Sequence, residues 1–164
     1  MSTGWLPAGP ALLFTPADRA DRFATALERA DMVILDLEDG CRPENKQAAR
    51  ENITASGLDP ARAIVRVNPS DSEHFAEDVA AVSATAYRQV MLPKVESASD
   101  VSTLVDALPD AQVIALIETP RGVLRADEIA AHEGVVAMFW GAEDLTAGLG
   151  GSSSRRGDGT YRDV

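Results

Sequence analysis

Short apolar runs recur along the chain, separated by longer stretches in which apolar residues return every three or four positions. The runs are Ala11–Phe14, Met32–Leu35, Ala63–Val67, Gln89–Leu92, Val113–Ile117 and Val135–Trp140. They are short, largely apolar and unalternated, so each predicts a strand of a parallel sheet buried on both faces. Between them, Phe23, Leu27 and Ala30 fall at i, i+4, i+7, as do Phe75, Val79 and Val82. Val101, Leu104, Val105 and Leu108 make the fuller stripe of an amphipathic helix. The helix starts are legible too. Thr119-Pro120 reads as an N-cap followed by proline at the first helical position. Ser97 with Asp100 resembles a capping box with Asp in the usual Glu/Gln place, and Pro43-Glu44 puts proline and a carboxylate in a first turn.

The order βαβαβαβαβαβ predicts a parallel α/β architecture with right-handed crossovers. A doubly wound sheet and a (β/α)8 TIM barrel both fit it. Even spacing leans toward the barrel, and Phe14-Thr-Pro-Ala-Asp18 after the first strand is not the glycine fingerprint of a dinucleotide-binding sheet. A closed barrel takes eight strands and typically about 250 residues. The expectation is therefore a single domain over residues 1–164 that forms an incomplete TIM barrel of about six βα units. A six-stranded domain in its own right is the alternative. Gly148 to Gly159, GLGGSSSRRGDG, breaks the periodicity and reads as a loop.

Composition narrows the partners more than the fold. The chain has 164 residues, 45% hydrophobic and 25% charged, with a formal net charge of −11. That balance argues against nucleic acid or an anionic membrane as a partner. A single cysteine, Cys41, leaves no internal disulfide and suits a reducing compartment. No apolar run approaches the roughly 20 residues of a membrane span. The N-terminus lacks the basic start and apolar run of a signal peptide, so a cytoplasmic location is expected.

Ligands of parallel α/β folds bind beyond the carboxyl ends of the strands, and here those positions are charged. The second run leads into Asp36-Leu-Glu38-Asp39-Gly40 and the third holds Arg66-Val-Asn68. The fourth leads into Pro93-Lys94-Val-Glu96, the fifth into Glu118-Thr-Pro-Arg121, and the sixth into Gly141-Ala142-Glu143-Asp144. Any one of these acids serves equally as a helix cap; five consecutive ends aimed at one rim predict a site. Glu118 and Asp144 follow adjacent strands. Two carboxylates so placed repel unless a cation neutralises them or one keeps a proton. Two carboxylates with positions left for water and substrate oxygens suit Mg2+. Arg66 has two readings, recognition of a carboxylate or enolate, or a structural ion pair with Asp36 or Glu38. The backbone N–H groups of Gly141, Ala142 and Glu143, at the start of a short helix, suit a substrate carboxylate. Asp18, Arg19 and Arg22 read as a solvated first turn, and His74 and His132 as surface helix residues.

These same segments resemble the citrate lyase β-subunit-like family, within the superfamily of Mg2+-dependent aldolases and lyases that includes malyl-CoA and citramalyl-CoA lyases. The resemblance is carried by Phe14-Thr-Pro-Ala-Asp18, Val33-Ile-Leu-Asp-Leu-Glu-Asp-Gly40, Lys46-Gln-Ala-Ala-Arg50 and Val65-Arg-Val-Asn-Pro69. It continues through Met91-Leu-Pro-Lys-Val-Glu96, Ala115-Leu-Ile-Glu-Thr119 with Arg121-Gly122, and Trp140-Gly-Ala-Glu-Asp-Leu145. It implies a TIM barrel, a trimeric or hexameric homo-oligomer, and Mg2+ as cofactor. It implies that Glu118 and Asp144 are metal ligands, that Arg66 contacts substrate and steadies enolate charge, and that Glu38 and Asp39 lie in or beside the metal's outer shell. The implied reaction cleaves 3-hydroxy-acid thioesters of coenzyme A or an acyl carrier to an acyl thioester and a keto acid. The family's remaining strands and its C-terminal segment, which carries a catalytic aspartate, have no counterpart in these 164 residues. A binding subunit for keto acids or acyl-CoA that needs a partner is therefore the alternative, and an aldolase acting on free acids is a third.

Overall fold

In the computed structural model, residues 5–162 are described. Six strands form one parallel sheet in sequential order: β1 (Leu12–Pro16), β2 (Met32–Asp36), β3 (Ala63–Arg66), β4 (Gln89–Leu92), β5 (Gln112–Ile117) and β6 (Val135–Trp140). The helices are α1 (Phe23–Arg29), α2 (Lys46–Ala55), α3 (Phe75–Ser83), α4 (Ala98–Ala107), α5 (Pro120–Leu124), α6 (Ala126–Ala130) and α7 (Ala142–Gly148). The predicted starts are realised chemically. Thr119 Oγ1 accepts from the Gly122 N–H at 3.0 Å, and Asp100 Oδ2 accepts from the Glu96 and Ser97 N–H groups at 2.9 Å each. Pro43 opens a single 3-10 turn that leads directly into α2.

The two faces of the sheet separate the two architectures that the sequence left open. Val33, Leu35, Val65, Val90, Leu92, Val113 and Ala115 pack against helix residues such as Phe23, Ile53, Val79, Val82, Val101 and Leu104. The alternate positions, Met32, Ile34, Ile64, Met91, Ile114 and Leu116, form a second cluster to which no helix contributes. A doubly wound sheet carries helices on both faces. Sequential strand order with an inner face filled by strand side chains is the wall of a (β/α) barrel. Among the described residues it is not closed, because β1 and β6 do not pair with each other.

That open geometry corrects one expectation. Strands β2 to β5 are buried almost throughout, yet β1 and β6 are not. Leu13 and Phe14 on β1, and Met138 and Trp140 on β6, are exposed. Their apolar character suits an interior position, but each edge strand has a neighbour on one side only. The strand ends themselves are level, since Asp36 pairs in register with Pro16 and with Arg66, and Ile117 with Trp140. All six carboxyl ends therefore open onto one rim.

Candidate active site

Asp36, the last residue of β2, anchors one side of that rim. Its carboxylate takes two hydrogen bonds from Arg66 at the end of β3, Nε to Oδ1 at 2.7 Å and a terminal nitrogen to Oδ2 at 2.6 Å. It also accepts the backbone N–H groups of Glu38 and Gly40 at 2.9 and 2.8 Å, which folds the β2–α2 loop back over the strand end. A Cβ on Gly40 would lie 2.3 Å from Asp36 Oδ2, so this loop requires glycine there. The other terminal nitrogen of Arg66 stands 2.9 Å from Glu38 Oε2, close enough for an ion pair but not aligned as a hydrogen bond. The guanidinium also lies over the Phe14 ring, 4.8 Å from its centroid. Burial works against its charge, but the hydrogen bond and charge of Asp36, with Glu38 and Asp39 behind them, hold its pKa above the ordinary value. The ion-pair reading of Arg66 is thus realised in the structure, and part of its five-donor fork remains for a ligand.

Across the rim, Glu118 leaves β5 and is only 4% exposed. Its Oε1 accepts the Lys94 backbone N–H at 3.0 Å, and Oε2 takes no hydrogen bond among the described residues. The side chain rests on Gly141, where a Cβ would come within 2.5 Å of Glu118 Cβ and 2.6 Å of Oε2. Burial, followed by the charge of Glu38, pushes its pKa up to about 7, against the help of Lys94 and with a further push from Asp144. Asp144, in the first turn of α7, is part-exposed and has its Oδ2 3.6 Å from Lys94 Nζ. Asp39 is 65% exposed and 3.7 Å from the same nitrogen, while Glu38, buried, pairs with it directly through Oε1.

Lys94 is the rim residue to which the sequence reading gave no role. Its place in the charged run Pro93-Lys94-Val-Glu96 was visible. Its backbone, at φ 53°, was not, because lysine carries no signal for the left-handed region. The structure brings Arg66, Glu38, Asp39, Glu118 and Asp144 together around it. Gly141, Ala142 and Glu143 are placed less simply. The Gly141 N–H is committed to the Ile117 carbonyl at 3.0 Å, so only Ala142 and Glu143, in the first turn of α7, have donors left for an anion. The Glu143 carboxylate turns away to accept Ser154 Oγ at 2.6 Å. The histidines are not surface helix residues. His74 immediately precedes α3, and His132, in the turn after α6, contacts Ser102 Oγ at 3.1 Å. Cys41 is buried and its thiol is pushed up to about 11 by that burial, which removes it as a nucleophile near neutrality.

Beneath the rim lies a second polar network. Lys46 Nζ, on α2, donates to the carbonyls of Leu37 and Glu38 at 2.6 and 3.1 Å and to Asn68 Oδ1 at 2.8 Å. Asn68 donates from Nδ2 to Leu37 O at 3.0 Å and, through its backbone N–H and Nδ2, to Asp78 Oδ2 at 2.9 and 2.6 Å. Arg50 Nε closes the set on Asp78 Oδ1 at 2.8 Å. This network fixes the backbone that presents Glu38 and Asp39.

Sequential parallel strands with acids and two cations converging at their carboxyl edge define a β/α-barrel protein with an acidic rim site. The chain belongs to the HpcH/HpaI aldolase/citrate lyase family, which it matches over residues 11–163. It is 55% identical over 157 residues to the citrate lyase subunit beta-like protein of Mycobacterium tuberculosis, covering 96% of this chain and 56% of that one. It is 37% identical over 175 residues to the L-malyl-CoA/beta-methylmalyl-CoA lyase of Cereibacter sphaeroides, covering 92% and 55%. Among solved structures it is similar to protein CitE of Mycobacterium tuberculosis in complex with magnesium, acetoacetate and coenzyme A, with a TM-score of 0.88 and 54% identity over 95% of this chain and 57% of that chain. The chain thus spans about half the length of the curated relatives it matches.

Proposed function

We propose that this chain carries the metal and anchor residues of a Mg2+-dependent carbon–carbon lyase acting on 3-hydroxy-acid thioesters. The observation that carries the reading is Glu118, a buried carboxylate pushed up to about 7 beside other acids, whose Oε2 takes no hydrogen bond among the described residues. Such a group keeps a proton near neutral pH unless a cation stands beside it, and our reading is the cation. Among the described residues no three His, Cys, Asp or Glu side chains form a closed metal cage. Two carboxylates completed by water and substrate oxygens suit Mg2+, a hard ion that sheds water reluctantly. Glu118 and Asp144 would hold the ion, and the small Gly141 leaves the Glu118 carboxylate free to face it.

When bound, Mg2+ supplies Lewis-acid polarisation of the oxygen that becomes the keto group as the carbon–carbon bond breaks. Cleavage also needs a base for the hydroxyl proton and an acid for the enolate carbon; the rim residues bind and orient, and that proton transfer is left to a group outside them. Arg66, oriented by Asp36, offers its remaining N–H donors to the thioester enolate that departs. Glu38 acts through Arg66 and Lys94, holding both cations at the rim. The Ala142 and Glu143 N–H groups offer an anchor for the keto-acid carboxylate, and Asp39 lines the mouth. The carrier is coenzyme A or an acyl-carrier protein, and a homo-oligomer is the working assembly. Among the described residues no helix is long and apolar enough to cross a membrane.

The test is an assay over malyl, citramalyl and citryl thioesters, run with Mg2+ and with chelator. Keto-acid release that requires Mg2+ is the expected result. Release that persists undiminished in chelator would overturn the metal assignment. Mg2+ and acyl-CoA binding without any turnover would favour a partner-dependent binding subunit.

A further inference from the structure

Lys94 touches both carboxylates assigned above to the metal, by two different parts of the same residue. Its backbone N–H holds Glu118 Oε1 at 3.0 Å, and its ammonium stands 3.6 Å from Asp144 Oδ2. The same ammonium pairs with Glu38 and lies 3.7 Å from Asp39. These carboxylates come from three different loops, after β2, β5 and β6, and converge on a residue that follows β4. A left-handed backbone is strained for a non-glycine residue, and such a conformation persists only where its surroundings over-determine it. Here the φ of 53° sends the N–H to one carboxylate and the side chain into the midst of the others.

Burial opposes the Lys94 charge, but the hydrogen bond and charge of Glu38 hold its pKa raised, so the group is an ammonium and not a free amine nucleophile. A lysine serving only as a counter-ion for Glu38 would need neither the strained backbone nor the approach to Asp144. Nor is Glu38 short of a cation, since Arg66 already faces its other oxygen.

We propose that Lys94 is a built-in competitor for the cation site. Its ammonium lies among Glu38, Asp39 and Asp144, while its backbone N–H holds Glu118 Oε1. A divalent cation entering between Glu118 and Asp144 displaces the ammonium toward Glu38 and the open rim, where it meets an incoming anionic substrate. The acidic cluster is thereby held together without metal, and the metal affinity is set below what the carboxylates alone would give. The inference rests on the metal reading above.

The experiment titrates Mg2+ calorimetrically into the wild type, Lys94→Met, Lys94→Gln, Lys94→Arg and Glu118→Gln, and records Tm for each in chelator and in Mg2+. Loss of the positive charge 3.6 Å from Asp144 Oδ2 is expected to tighten Mg2+ binding about tenfold or more in Lys94→Met and Lys94→Gln. Lys94→Arg, which keeps the charge, stays close to the wild type. Lys94→Met should also have a lower Tm in chelator and a larger rise with Mg2+. Should both neutral variants bind Mg2+ no more tightly than the wild type while Glu118→Gln abolishes binding, Lys94 is not a competitor and the metal reading stands. If Mg2+ binds Lys94→Met but not the wild type, competition is confirmed at its strongest. If it binds none of the proteins, both readings fall.

Discussion

The rim site and the network beneath it are built from the same side-chain types, within one loop's thickness of each other, and they balance charge in opposite ways. Below the loop, Lys46, Arg50, Asn68 and Asp78 are all buried, and each charge meets opposite charge or backbone polarity at hydrogen-bond distance. Asp78 is 0% exposed and accepts three hydrogen bonds. At the rim, the carboxylates of Asp36, Glu38, Asp39, Glu118 and Asp144 face two cations, Arg66 and Lys94. The lower network, two cations and one carboxylate, shows that this fold can bury charges with every one of them hydrogen-bonded. At the rim the carboxylates outnumber the cations five to two, so that region is the one suited to take up a further cation.

The largest effect should come from the lower network. Asp78→Ala leaves Arg50 and two Asn68 donors without their acceptor in a buried place, which typically costs about 3–5 kcal/mol. Urea unfolding should show that loss in the midpoint, with little dependence on Mg2+. A comparable loss that Mg2+ restores would merge the two regions into one and break the comparison.

The next effect has the opposite sign. Glu118 has its folded pKa raised from 4.5 to about 7. Its contribution is thus full below about 4.5 and is lost as pH rises through 7. Glu118→Gln removes that loss, so the metal-free variant should be more stable than the wild type at pH 8 by roughly 2–3 kcal/mol. The two should converge near pH 4, where both side chains are neutral. The Mg2+-dependent rise in Tm should vanish in the variant. A variant less stable than the wild type at pH 8 would place Glu118 with the fully hydrogen-bonded network below.

Much of this contrast could be anticipated from the sequence, but not the pairing. Parallel strands deliver all their carboxyl ends to one edge, so the charged residues after five apolar runs had to share a rim. Strands β2 to β6 begin or end within a residue of the apolar runs because backbone pairing and apolar burial stop together there. β1 runs on through Thr15 and Pro16, since ladder hydrogen bonds to β2 continue past the apolar residues. Exposure at β1 and β6 was not legible, as an apolar run does not say whether a neighbour covers it. Nor was it legible that the ion pair of Arg66 forms, which depends on Asp36 thirty residues earlier pairing with it in register. Lys46, Arg50 and Asn68 stood in recognisable motifs, whereas Asp78 lies on α3 beside the apolar stripe and gave no sign of being its most buried acid. The Lys94 contacts follow from a backbone conformation that residue type does not encode.

The smallest effect tests whether burial, and not mere proximity to the rim, separates the two regions. Arg121 follows β5 as Glu118 does, three residues further on, and pairs with Glu96 at 3.6 Å, but its side chain is 61% exposed. Water screens such a pair, and exposed ion pairs contribute about 0–1 kcal/mol. Arg121→Ala should therefore move the unfolding midpoint by no more than about 0.5 kcal/mol, without the pH dependence expected of Glu118→Gln and without altering Mg2+ affinity. Urea unfolding at pH 5 and pH 8, with and without Mg2+, measures all three. A loss as large as that of Asp78→Ala would mean that position along the strand end, rather than solvent access, sets what each charge contributes.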